Sequence, residues 1–158
     1  MNQLNQPNQL ATNRQNVRKA LKHLEYSFNK VRPYNLSRRD WSEEELETLE
    51  SFSSRFARVS DLVVSRLLRS LALQSDPAFR GALIDLLNFA EKQNWISSVR
   101  TWYRIRELHN VAAHEYTTDD LNKLFMELIQ LTPVVLAEAG KLTENRFEDP
   151  HARSETHG

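Results

Sequence analysis

The chain contains no cysteine, which excludes disulfides, zinc–thiolate sites and cysteine nucleophiles and makes a cytoplasmic address the expectation. Glycine is scarce, with 3 residues in 158. Apolar residues recur with the 3.6-residue period of a helix, so no sheet is expected. The longest apolar runs, such as Val134–Ala137, hold four residues. A membrane-spanning helix needs roughly 20, so no membrane partner is expected. The opening residues have neither a basic start nor an apolar core, and no secretory leader is expected. Excess charge is lacking as well: 21 basic residues balance 21 acidic ones, which disfavours coating duplex nucleic acid through bulk charge. Also missing are a glycine-rich phosphate loop, a His-Glu-x-x-His zinc helix and a Gly-x-Ser-x-Gly elbow. Neither metal nor cofactor is expected.

What is present suits one compact domain. Apolar residues make up 40% of the chain, enough for a core at this length. Residues 1–11 are rich in Asn and Gln and read as a disordered tail, residues 12–142 as the helical domain, and residues 143–158 as a polar tail. Charge is segregated along the chain: residues 12–39 are basic, 40–50 acidic and 51–80 basic again.

The apolar spacing predicts an all-α fold, an antiparallel bundle of about five helices. The first covers 13–30 and ends before Pro33. Ser42 followed by three glutamates starts a second, which a series from Leu46 to Leu67 carries to about residue 73. Asp76-Pro77 reads as the start of a third, ending near Asn94. A fourth spans roughly 97–114, with Val99, Trp102, Ile105, Leu108 and Ala112 inward. Thr117 or Thr118 caps a fifth, which continues through Pro133 because apolar periodicity resumes at Val134.

The residues that point to chemistry cluster at the C-terminal end of the fourth helix. Arg106, His109, Asn110, His114 and Tyr116 fall within eleven residues. Arg106 and Asn110 lie one turn apart with His109 beside them. A guanidinium neutralises phosphate oxygens and an imidazole moves a proton, so the group makes a phosphate site. The same cations also suit the negative end of a helix dipole, which is a purely structural use for them. A second feature is a basic stripe of Arg55, Arg58, Arg66 and Arg69 to one side of the apolar series on the long helix, with Asp61 at its far edge. It reads either as a solvated face or as a track leading RNA to the fourth helix.

The stretch from Trp102 to Tyr116, WYRIRELHNVAAHEY, resembles the signature of the HEPN superfamily, especially its HepT-like branch. The long helix over 51–68 and the connector over 90–98 are similar to the same branch, and the likeness covers about residues 15–140. The resemblance implies a helical bundle that forms a homodimer and brings two motifs together across a cleft. It implies a metal-independent endoribonuclease acting as a toxin, paired with a minimal nucleotidyltransferase antitoxin that can modify the motif tyrosine. On that pattern Asn110 is the polar residue, His114 the histidine and Tyr116 the tyrosine. His109 stands where the motif arginine is expected, and Arg106 lies one turn earlier.

Two functional expectations result. In the first, RNA is cut by attack of its 2′-hydroxyl on the adjacent phosphate, with His114 moving the proton, Arg106 and protonated His109 stabilising the charge, and Asn110 orienting it. In the second, the His109 replacement marks a degenerate module that binds RNA, nucleotide or a nucleotidyltransferase partner without catalysis.

Overall fold

The structure, a computed structural model, describes residues 6–111 and 118–144; the side chains of residues 6–8, 110, 111 and 118 lie outside the description. Six α-helical segments and one π-helical segment occur among the described residues, with no strand. They are α1 (Gln6–Val31), α2 (Glu43–Asp61), a π segment (Leu62–Leu68), α3 (Arg69–Ser75), α4 (Leu83–Lys92), α5 (Val99–Val111) and α6 (Thr118–Leu142). The expected all-α bundle is therefore the fold. No described helix is long and apolar enough to cross a membrane.

Cross-helix bonds establish the directions. Asn13 donates to Ser70 at 2.8 Å while Arg55 donates to Ser27 at 2.7 Å, so α1 runs antiparallel to the rod made by α2, the π segment and α3. Trp102 and Arg104 reach Glu138 and Glu127, which makes α5 and α6 antiparallel as well. The core between them is built from Val17, Leu24, Phe52, Phe56, Leu67 and Trp102, each almost wholly buried.

Helix α1 begins earlier than expected. The reading of residues 1–11 as a disordered tail is corrected for residues 6–11, which are helical. Leu10 is buried, and the polar Asn13 is buried too because it bonds Ser70. One apolar contact and one satisfied amide carry the helix back into a stretch whose composition alone reads as tail. At the other end, Thr143 is buried and donates to the Gly140 carbonyl, so the domain extends slightly beyond 142. Residues 145–158 lie outside the described residues.

The expected helix start at Asp76-Pro77 is also corrected. Asp76 caps a turn, accepting from Ala78 N at 3.0 Å, and α4 begins only at Leu83. There Asp85 accepts from Ala82 N at 2.9 Å and so covers the first orphan amide. The intervening loop is pinned by Phe79 stacked on Phe89 at 5.6 Å and by Arg69 donating to the Gly81 carbonyl at 3.2 Å. A Cβ at Gly81 would lie 2.5 Å from Asp85 Cβ, so this close approach requires glycine.

The start of α2 is as expected: Ser42 and Glu45 bond each other's backbone amides in a reciprocal cap. The turn after α4 depends on Asn94, at φ 62°. Its amide bonds the Glu91 carbonyl and the amide of Trp95 bonds that of Ala90, a pairing in which the residue after the cap turns left-handed. Trp95 then packs edge-on against Phe89 at 5.5 Å. Asn94→Gly is expected to raise stability by up to about 1 kcal/mol, and Asn94→Val to lower it by at least about 1 kcal/mol, since only the β-branched residue resists positive φ. Urea denaturation of the two variants checks this, and equal stabilities would contradict it.

Candidate functional site

Helix α5 carries the cluster, and its neighbours supply the groups that position it. Glu91 of α4 accepts from Val99 N at 2.7 Å, and Ser98 accepts from Thr101 N at 3.2 Å, which together cap its N-terminus. Trp102, Ile105 and Leu108 are buried, three to four residues apart, and face the core. Glu138 of α6 accepts three bonds, from Ser97 N at 2.7 Å, Ser97 Oγ at 2.8 Å and Trp102 Nε1 at 3.2 Å. Glu127 of the same helix takes Arg104 in a forked pair, both bonds 2.7 Å. That fork, with its charge, holds the Glu127 carboxyl below the ordinary glutamate range and raises the Arg104 guanidinium further.

Arg106 points the other way, toward α2. Its Nη2 lies 3.8 Å from Asp61 Oδ1, a distance for a loose ion pair rather than a hydrogen bond. Its Nη1 is buried and has no hydrogen-bond partner among the described residues. Ser60, next to Asp61, is fully buried, and its hydroxyl also lacks a partner among them. His109 is half-buried one turn after Arg106. Asn110 belongs to α5 by its backbone, and its side chain lies outside the description; His114 and Tyr116 lie outside the described residues. The described part of the candidate site is thus Arg106 and His109 on α5, with Asp61 of α2 against Arg106. Among the described residues no three histidines or carboxylates gather as metal ligands.

Ser60 and Asp61 sit where the helix changes form. Buried positions on α2 follow helical spacing up to Val59 and Ser60, then repeat every fourth residue: 59, 63, 67, 71 and 60, 64, 68, 72. Four residues overshoot a 3.6-residue turn, so such a row drifts round a regular α-helix by about 40° per step. The wider π segment absorbs the drift and keeps both rows facing the core. This spacing is the available signal for Ser60 and Asp61, of which the sequence pattern singles out only Asp61, as the edge of an arginine stripe.

The stripe does not persist as one surface. Arg55 turns to α1, donating to the His23 carbonyl at 3.2 Å and to Ser27 Oγ, and Arg69 is spent on the Gly81 carbonyl. Arg58 and Arg66 are exposed, but Arg58 stands on α2 and Arg66 inside the π segment. One inserted residue rotates the following face by roughly 100°, so even helical spacing no longer aligns them. Two of the four therefore hold the bundle together.

Glu127 provides a test of the α5–α6 clamp. A carboxyl lowered in the folded state adds stability that is present above its unfolded pKa and lost as pH falls through the folded value. Both partners are partly exposed, so Glu127→Gln is expected to cost at most about 1 kcal/mol at neutral pH. The cost should fade in acid, once the pH falls through the lowered folded-state value and the native carboxyl is protonated too. Urea midpoints at the two pH values measure this; an undiminished cost in acid would mean that charge has no part in it.

Compared with protein-family models, with curated proteins and with solved structures, the chain matches none.

Proposed function

We propose that the chain is a HepT-like, metal-independent endoribonuclease and the toxin of a toxin–antitoxin pair. The observation that carries this reading is the spare donor of Arg106. A guanidinium with one buried N–H unpaired and another held only loosely is costly to leave so, because an unsatisfied buried donor forfeits its hydration. A phosphate oxygen would satisfy it. His109 one turn on, and His114 and Tyr116 within the next seven residues, supply the remaining groups that the resemblance asks for. In this mechanism the 2′-oxygen attacks the adjacent phosphorus as His114 takes its proton. The bond from phosphorus to the next nucleotide's 5′-oxygen breaks to leave a 2′,3′-cyclic phosphate, and that 5′-oxygen is protonated as it departs. Arg106 with protonated His109 holds the charge that develops on phosphate. Asn110 orients that phosphate. A minimal nucleotidyltransferase antitoxin would silence the site at Tyr116, in the cytoplasm.

One observation favours a second reading. Asp61 lies against the same guanidinium, and a carboxylate there repels an incoming phosphate. A degenerate module would then bind RNA, nucleotide or the nucleotidyltransferase without cutting.

Cleavage of single-stranded RNA by the purified chain separates the two. His114→Ala should slow it by about a hundred- to ten-thousand-fold with helical content unchanged, and a chelator should have no effect. His109→Arg should match or exceed the native rate, because arginine stays charged and offers a forked contact. Full activity in His114→Ala, or loss with chelator, would overturn this mechanism.

The homodimer belongs to the same proposal, and α5 offers it a self-complementary stripe. Arg100, Tyr103 and Glu107 are exposed at helical spacing, Tyr103 with 43% of its surface accessible. A two-fold axis passing near Tyr103 would set Arg100 of each copy against Glu107 of the other. Light scattering at micromolar concentration should report a dimer, and Tyr103→Arg a monomer; a monomeric native chain would exclude this assembly.

A further inference from the structure

The basic first helix has no part in the site on α5, and its outer face carries a pattern of its own. Lys19, Lys22, His23, Tyr26 and Lys30 are all exposed and fall at i, i+3, i+4, i+7 and i+11. That spacing defines one stripe, about 17 Å long, on the side away from Val17, Leu24 and Val31. Tyr26 is the most exposed large hydrophobic side chain among the described residues, at 59%. Two cations lie beside its ring: Lys30 Nζ is 5.0 Å from the ring centroid and Arg55 Cζ 5.9 Å from it. Arg55 is itself fixed by its bonds to Ser27 and the His23 carbonyl, so this side of the ring has a fixed cation. No ion pair neutralises Lys19, Lys22 or Lys30 among the described residues. Glu44 and Glu47 line the recess beside the ring together with Lys30 and Arg55, whereas Lys19 and Lys22 lie outside that recess, on the N-terminal part of the stripe.

We infer that this face of α1 is a platform for single-stranded nucleic acid, with a base stacked on Tyr26 and the phosphates running along Lys19 and Lys22. An exposed ring costs free energy in water and gains it under a base, whose π-face is otherwise wet. A row of unpaired ammonium groups on the same stripe gains by releasing the counterions of a phosphate backbone. A duplex hides the faces of its bases, so the ring selects single strands although the chain has no net charge. The inference rests on the ribonuclease proposal only in taking RNA as the strand; binding here requires no cleavage.

The experiment uses the full chain and an end-labelled 2′-O-methyl oligoadenylate, which lacks the attacking hydroxyl and cannot be cut by the proposed route. Fluorescence anisotropy should show binding. Tyr26→Ala should weaken it about five- to hundredfold with an unchanged circular dichroism spectrum, and Tyr26→Phe should restore it. Lys19→Glu combined with Lys22→Glu should weaken binding and flatten its dependence on salt. A duplex of matching length should bind less tightly than the single strand. The inference is overturned if the oligonucleotide does not bind, if the duplex binds as well, or if Tyr26→Ala binds like the native chain. Cleavage of natural RNA is scored separately: binding without cleavage keeps the platform and removes the ribonuclease reading. Cleavage with Tyr26→Ala binding unchanged does the reverse.

Discussion

Helix α5 is held in place by carboxylates that belong to other helices. With 13 residues it is too short to persist alone in water, where isolated helices of about that length are marginal. Its buried face supplies Trp102, Ile105 and Leu108 to the core, but apolar contact does not by itself set the rotation of a helix. Glu91, Glu127 and Glu138 do, each bonding a different point of α5 or the residue just before it. With those three bonds made, Arg104 must face α6, and Arg106, two residues on, must face α2. The spare donor of Arg106 is therefore a consequence of how the helix is fastened.

The α2 side of the seam is set by a different constraint. Rows of buried residues four apart cannot stay on one side of a regular α-helix for long, and the π segment reconciles them with the core. Ser60 and Asp61 stand immediately before that change. Asp61 brings a half-exposed carboxylate up to the Arg106 guanidinium, and the hydroxyl of Ser60 beside it in the chain is buried without a partner among the described residues. Polar groups left unsatisfied inside a protein are uncommon, and among the described residues Ser60 Oγ and Arg106 Nη1 are two of them, on adjoining helices.

Much of the architecture was legible from spacing alone. The cap at Ser42, the continuation through Pro133 and the inward face of α5 all appear in the structure as the apolar pattern indicates. The errors fell where a long-range contact decides a local question. Residues 6–11 are helical beside the buried Leu10 and the Asn13–Ser70 bond, and Asp76 serves a turn next to the tilted Phe79–Phe89 contact. Of the candidate site, Arg106 and His109 were legible because they share a helix turn. Asp61, Glu127 and Glu138 were not, since their partners are distant in sequence and no helical period relates them. The arginine stripe was misleading for a related reason: a wheel drawn at 3.6 residues per turn has no place for a π segment.

That segment also divides the responsibilities of the longest rod in the bundle. The part before it answers to α1 and α5, and the part after it to α3's loop contact with Gly81 and to Asn13. The wide turn carries two unbroken buried rows across a change of helix form, and both parts of the rod stay tied to one helix, α1, at Ser27 and at Asn13. Removing the extra residue's worth of rotation would turn one part against the other, so a change in α3 that abolished the wide turn would be felt at both of those ties.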